Sequence, residues 1–507
     1  MPMNARVILA LCLALILGCL VLTTYGVRTG LPAPPTCASS TAGSPLLASA
    51  VPMASAGQAK HRYVFDLSAV SHRIDTAMFF GTVEWPETDE AKQLFLPRLR
   101  QYGIRLIRND LHLQEAVPKT LCPDMETFRS RTADPGFVDS WDWSPMTWVA
   151  EAKREGFRTM GIFCFMPEFL TANGSLPRKG DRAAWEAWGT ICAEVYKRLA
   201  PDLDYIEIYN EAQFFAKADN TGYVRSVEAD PDIFHYAESQ LRPLTKKPII
   251  GPATWIDCWA GSGLETLPFD PRSTPETLDR FSIHDYDTQL RAFLDRIDHT
   301  RATLDGTAPN LPVGYAAPWK DKPLWVTEWN QYWEDPKVGA DWYGFILTEF
   351  LARDIPNTIY SYDEFFDPKR ANVCRPWLLL VECGLNSAAQ TVEIHPQVDA
   401  PPTDTAGNSV AATLPDGSVV VVATNTTDQA ADATWRLRGL RREDGRRMAL
   451  RVWDVQGDSE RLTTSNAECS SAITVRSNSC EIRYTLPPHS MAALKLAGSD
   501  AGFHIGK

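Results

Sequence analysis

Two glutamates stand at the ends of short apolar runs, far apart in the chain. Tyr205-Ile206-Glu207-Ile208-Tyr209 leads into Asn210 and Glu211, and Leu324-Trp325-Val326-Thr327 leads into Glu328 and Trp329. Paired carboxyls can divide one reaction between them: an acid protonates a departing oxygen while a carboxylate attacks the carbon it leaves. Scission of a glycosidic bond needs this pair, and its retaining route asks for carboxyls about 5–5.5 Å apart. Other polar residues follow apolar runs in the same way. Ile104 to Arg108 leads into Asn109 and Asp110, Phe281 to His284 leads into Asp285 and Tyr286, and Thr358 to Tyr362 leads into Asp363 and Glu364. Arg108 is suited to hold Glu328 ionised by charge and hydrogen bonding. Glu207 shares a strand face with Glu211 but lies deeper, and it reads as a structural partner rather than a reacting group.

These residues work together only if the runs that carry them are neighbours. Eight runs read as strands: Phe79 to Val83, Ile104 to Arg108, Thr159 to Phe165, Tyr205 to Tyr209, Pro248 to Gly251, Phe281 to His284, Leu324 to Thr327 and Thr358 to Tyr362. Helix signals lie between them. Asp181 can cap a helix in which Trp185, Trp188, Cys192, Val195 and Leu199 recur at near-helical spacing, and Pro201 stops it. Ser144-Pro145 suits a helix start and Gly156 a helix end. A helix through Ala91, Leu94, Leu99 and Tyr102 has Pro97 inside it, where proline removes a hydrogen bond. Strands alternating with helices over about 290 residues fit an α/β (β/α)8 TIM barrel, whose active site lies at the C-terminal ends of the strands. From about residue 388 the pattern becomes alternating strands with Gly, Asp and Asn turns, which fits a C-terminal antiparallel β-sandwich. Tyr63-Val64-Phe65, ahead of the barrel, is strand-like and suited to join that sandwich. The expected divisions are 1–28 for a signal segment, 29–60 for a Pro/Ala/Ser-rich tether, 61–385 for the barrel and 386–500 for the sandwich.

With five such segments in order, the chain resembles the clan A retaining glycoside hydrolases. Tyr205 to Glu211 resembles their strand 4 motif, in which Asn-Glu supplies the acid/base, and Leu324 to Trp329 resembles their strand 7 nucleophile motif. Phe163-Cys164-Phe165-Met166-Pro167-Glu168 is similar to strand 3 of glycoside hydrolase family 39, and Ile107-Arg108 and His284-Asp285-Tyr286 fit the strand 2 and strand 6 patterns. The proline that often follows Asn-Glu in the clan is Ala212 here. The resemblance implies that Glu211 is the general acid/base and Glu328 the nucleophile. It implies that Asn210, Arg108, His284, Tyr286 and Trp329 contact substrate, with Trp333 and Trp255 as further sugar platforms. The expected partner is an oligo- or polysaccharide. A transglycosylase, or a membrane-tethered carbohydrate-binding protein without activity, would use the same scaffold. No cofactor and no metal is called for: the nine histidines are scattered, and the paired histidines of metal-dependent barrel hydrolases are not found around Phe79 to Trp85.

The remaining features set the context. A formal net charge of -13 argues against nucleic acid as a partner. Val7 to Gly26 is almost wholly apolar, with Arg6 before it and Arg28 after. A run near 20 residues is long enough to cross a bilayer, so it reads as an uncleaved signal anchor, with a cleaved signal peptide or a lipid-modified Cys19 as alternatives. Each puts the rest of the chain in the periplasm or outside the cell. That setting permits disulfides, for which Cys374/Cys383 and Cys469/Cys480 are close enough in sequence. Cys164 and Cys192 read as small buried hydrophobes.

Overall fold

A computed structural model describes residues 59–498, except 172–175, 213–228, 256–277, 288, 310, 312–316, 318, 331–338, 361–374, 400–406, 441–446 and 457–472. The apolar run at 7–26 lies outside these residues, as do Trp333, Asp363, Glu364 and the side chain of Trp255. Among the described residues, no helix is long and apolar enough to cross a membrane.

The chain enters through two strands, β1 (Ala59–Asp66) and β2 (His72–Asp75). Eight parallel strands then close a barrel. They are β3 (Phe80–Val83), β4 (Leu106–Asp110), β5 (Arg158–Phe163), β6 (Tyr205–Ile208), β7 (Ile249–Trp255), β8 (Arg280–Tyr286), β9 (Leu324–Asn330) and β10 (Asn357–Ile359). All eight expected strands are present, and the closing pairs β10·β3 and β10·β9 are both parallel. Gly81 lets the ring close. A Cβ there would stand 2.5 Å from Thr358 Cγ2 and 2.9 Å from the Leu106 carbonyl oxygen, closer than any side chain tolerates.

Two of the long helices start where the sequence provides a cap. In α1 (Asp89–Gln101), Thr88 accepts a hydrogen bond from the Ala91 amide, and the helix runs unbroken through Pro97. In α2 (Arg182–Leu199), Asp181 accepts from the Ala184 amide. Trp185, Trp188, Cys192 and Val195 form its buried face. Of the helices that follow, α3 (Leu290–Asp305) ends on Gly306 at φ 74, and α4 (Ala340–Arg353) on Asp354 at φ 57.

The remaining strands are β11 (Thr391–His395), β12 (Gln397–Asp399), β13 (Ser409–Thr413), β14 (Val419–Asn425), β15 (Ala431–Arg438), β16 (Arg447–Gln456), β17 (Ile473–Thr474), β18 (Ser479–Leu486) and β19 (Ser490–Gly498). They form a four-stranded sheet ordered β12-β1-β15-β18 and a seven-stranded sheet ordered β17-β16-β19-β14-β13-β11-β2. The first two strands of the described chain thus belong to the sandwich, so the span 61–385 is not all barrel. β1 runs parallel to β15, and the Tyr63 and Trp435 rings stack between them at 6.1 Å.

β14 shows how the two halves are joined. Its side chains alternate faces with a period of two. Val419, Val421 and Ala423 pack with Trp435 and Leu437 in the sandwich core. Val420 and Val422 pack in the core that surrounds the barrel. Helix α4 lies against this second face: a Cβ on Gly344 would stand 2.9 Å from Met491 Cβ in the neighbouring strand β19. Cys164, Cys192, Cys383 and Cys480 are buried free thiols, while Cys374 and Cys469, the partners the spacing suggested, lie outside the described residues. Burial pushes the Cys480 thiol up to about 11.

Candidate active site

The barrel interior changes character along its axis. Its N-terminal layer is apolar, formed by Leu106, Met160, Ile250 and Trp325. Two residues along β4 from Leu106, and therefore on the same face, stands Arg108. It is fully buried, and its guanidinium contacts four side chains of the layer above. Nε donates to Glu207 Oε2 at 2.6 Å, Nη1 to Glu328 Oε2 at 2.9 Å and Nη2 to Asn210 Oδ1 at 2.7 Å. Burial alone would weaken the guanidinium's hold on its proton, but the carboxylates of Glu207 and Glu328 outweigh it and push the pKa up. Glu207 is the structural partner the sequence suggested, wholly buried and bound to Arg108.

The backbone turns sharply where β6 ends. Tyr209 and Glu211 both have left-handed φ, 67° and 47°, on either side of Asn210. Such values are uncommon for residues with a Cβ and mark positions that the surroundings enforce. Here the Glu211 amide donates to the Ala253 carbonyl of β7 at 3.0 Å. The turn brings Asn210 and Glu211 to the barrel mouth, where both line a cavity.

β8 supplies two residues on one face. Asp285, between them, is clamped by Arg296 of α3 at 2.5 Å, and His284 and Tyr286 face the opposite way, inward. Tyr286 donates to Glu328 Oε1. Burial, then the charge of Glu328, pushes the phenol well above its ordinary range. His284 Nδ1 lies 2.9 Å from Glu211 Oε1 and 3.7 Å from Glu328 Oε2, while Nε2 lies 3.1 Å from Arg108 Nη2. An oxygen of Glu211, an oxygen of Glu328 and a nitrogen of His284 all lie within 4.8 Å of one another. These three side chains have the donor types of a metal site, but two are already engaged. Arg108 donates to Glu328 Oε2 and sits against His284 Nε2, so a cation here would also meet a guanidinium.

The cavity has a volume of about 620 Å³ and is bounded on one side by Glu84, Trp85, Asn109 and Asp110. Glu84 and Tyr360 were not found from the sequence. Glu84 directly follows β3 at φ 70, and Tyr360 directly follows β10 and donates to Glu84 Oε1 at 3.3 Å. The rule that polar residues at C-terminal strand ends form the site already points to Glu84, after the expected strand end at Val83, and would have found Tyr360 had β10 been ended at Ile359 rather than Tyr362. Cys164, beneath Asp110, donates its thiol to Oδ1 at 3.0 Å.

One expected contact is corrected. Trp329 does not reach the cavity. It is fully buried on the outer face of β9, stacked with Trp342 and Trp377, each at 6.0 Å, and its Nε1 donates to Asn357 Oδ1 at 3.1 Å. Glu328 faces inward, so its strand neighbour must face outward. Arg108, Asn210, Glu211, His284, Tyr286 and Glu328 are all brought together.

Comparison with known proteins points to the fold. No family model matches the chain, and no curated protein matches it in sequence. Solved structures do match in shape. A glycoside hydrolase family 39 enzyme from Xanthomonas axonopodis pv. citri is 15% identical, with a TM-score of 0.56 over 88% of this chain and 99% of that one. A family 30 endoxylanase from Clostridium papyrosolvens C71 is 15% identical, with a TM-score of 0.53 over 86% of this chain and 100% of that one. A bacterial orthologue of human α-L-iduronidase is 14% identical, with a TM-score of 0.56 over 88% of this chain and 85% of that one. At these identities the likeness is one of fold, a (β/α)8 barrel with an attached β-sandwich.

Proposed function

We propose that this chain is a retaining glycoside hydrolase acting on an oligo- or polysaccharide. One observation carries the reading: carboxyl oxygens of Glu211 and Glu328 approach within 4.8 Å across the barrel mouth. So close an approach favours direct attack on the anomeric carbon over the inverting route, which needs carboxyls about 6.5–9.5 Å apart to seat a water between them. The fold neighbours, which include an endoxylanase and an iduronidase orthologue, support the reaction class and differ in the sugar.

In the first step, Glu328 attacks the anomeric carbon as the bond to the leaving oxygen breaks. The bonding pair goes to that oxygen, which takes the proton of Glu211. In the second step, Glu211 takes a proton from water, the water oxygen bonds to the same carbon, and the ester bond returns its pair to Glu328. Arg108 and Tyr286 hold the two oxygens of Glu328, fixing the plane of the attacking carboxylate. Asn210 has its carbonyl oxygen bound to Arg108, so its amide nitrogen is the donor suited to a sugar hydroxyl. The apolar run at 7–26 supports export of this activity from the cytoplasm.

The test is a screen of aryl glycosides and polysaccharides, followed by NMR of the first-formed anomer. Net retention is expected; inversion, or no turnover of any glycan, would end the proposal. Glu328→Gln is expected to lose turnover almost completely. Glu211→Ala is expected to slow substrates with poor leaving groups by about 10²–10⁴-fold, and activated aryl glycosides far less.

A further inference from the structure

We propose that His284 is a positioning residue: locked by Arg108 as the Nδ1–H tautomer, it assigns the acid proton of Glu211 to Oε2. The guanidinium of Arg108 has donors and no acceptor. Its Nη2 lies 3.1 Å from His284 Nε2, so Nε2 must accept. A neutral imidazole has one N–H, which is then on Nδ1. A doubly protonated ring would turn an N–H against the guanidinium. Nδ1 lies 2.9 Å from Glu211 Oε1, so it donates there and Oε1 accepts. The carbonyl oxygen of a carboxylic acid accepts a hydrogen bond better than its hydroxyl oxygen does, so the one proton of the acid belongs on Oε2.

The groups facing His284 are Arg108 of β4, Glu211 at the end of β6 and Glu328 of β9. The ring is fully buried, which denies water the exchange of one tautomer for the other. Arg108 therefore addresses both carboxyls from one guanidinium, Glu328 directly and Glu211 through the imidazole. Donation into Nε2 polarises the ring and strengthens its Nδ1–H as a donor. As Glu211 gives up its proton, the negative charge that develops already has a donor at Oε1. This assignment of the acid proton rests on the proposed hydrolase reading; the tautomer rests on geometry alone.

Two measurements test it. In protein carrying ring-15N histidine, the His284 signals, assigned by their shift in Glu211→Gln, are expected to show a protonated Nδ1 and a bare Nε2 at neutral pH. An Nε2–H tautomer or an imidazolium would overturn the proposal. The second measurement compares His284→Asn, which places an amide nitrogen near the Nδ1 position, with His284→Gln, which reaches the Nε2 position. Activity is read on glycosides of graded leaving-group acidity, of the sugar the unaltered enzyme cleaves. His284→Gln is expected to slow poor leaving groups by about tenfold or more beyond its effect on activated ones, and His284→Asn to restore most of that gap. Equal losses on both substrate types in both variants would overturn the proposal. An unaltered protein that cleaves no glycoside would instead sink the hydrolase reading and leave the tautomer result to stand.

Discussion

The floor and the mouth of this barrel share strands β4 and β9 but are built on opposite physical terms. At the floor, Leu106, Met160, Ile250 and Trp325 fill space with apolar surface, which stabilises without regard to direction. At the mouth, Arg108, Glu207 and Glu328 bury three formal charges, which is tolerable only because each is paired at hydrogen-bonding distance. Volume governs the first layer. Partnership governs the second, and removing a single partner there disturbs the others.

The sharpest way to break the contrast is Arg108→Met. It conserves bulk yet leaves Glu207 and Glu328 buried without their cation, at an expected cost of about 3–5 kcal/mol in denaturant unfolding. Turnover should fall with it, since the same change frees Glu328, Asn210 and His284 from one anchor. A variant as stable as the parent would mean that the mouth tolerates loss of partnership as easily as loss of volume. Met160→Ala probes the floor. It should cost about 2–5 kcal/mol through transfer and cavity terms, while activity per folded molecule holds. Lost activity in a fully folded Met160→Ala would show that the floor positions the mouth.

The smallest effect belongs to a half-exposed histidine held by two aspartates outside both layers. His489 lies 2.8 Å from Asp428 and 2.9 Å from Asp341 of α4. Its hydrogen bonds to Asp428 and then Asp341 raise its pKa above the ordinary 6.5. A raised folded-state value gives stability that is fully present below the unfolded pKa and is lost as pH rises through the folded one. His489→Gln should therefore lower the melting temperature at about pH 5.5 and hardly at all at about pH 8.5. Exposed pairs contribute only about 0–1 kcal/mol, so this shift should be far below that of Arg108→Met. A comparable shift would show that burial is not what sets the mouth apart.

The difference between floor and mouth also governs how much could be read from sequence. The eight strands were legible because each apolar run is buried on both faces of a covered parallel sheet. Glu211 and Glu328 were legible because a charged residue ending such a run needs a reason. Arg108, His284 and Tyr286 followed from the same strand-end rule. Trp329 was misassigned because adjacency in sequence stood in for a shared face. The alternation that turns Glu328 inward sends Trp329 out to Trp342 and Trp377. Glu84 was missed although it directly follows the expected strand end at Val83, where the same strand-end rule points; it enters the cavity wall at a left-handed φ.

The order of strands in the larger sheet has a consequence for how the molecule is made. β19, the last strand of the described chain, lies between β16 and β14 in the middle of its sheet, while β2, from the other end of the described chain, occupies an edge. A ribosome therefore delivers the keystone of the sandwich after nearly everything it joins. Until residues 490–498 emerge, β14 has no partner on one side, and the face of α4 that meets Met491 stays uncovered. The nascent barrel must wait, with an apolar flank open, for its final segment.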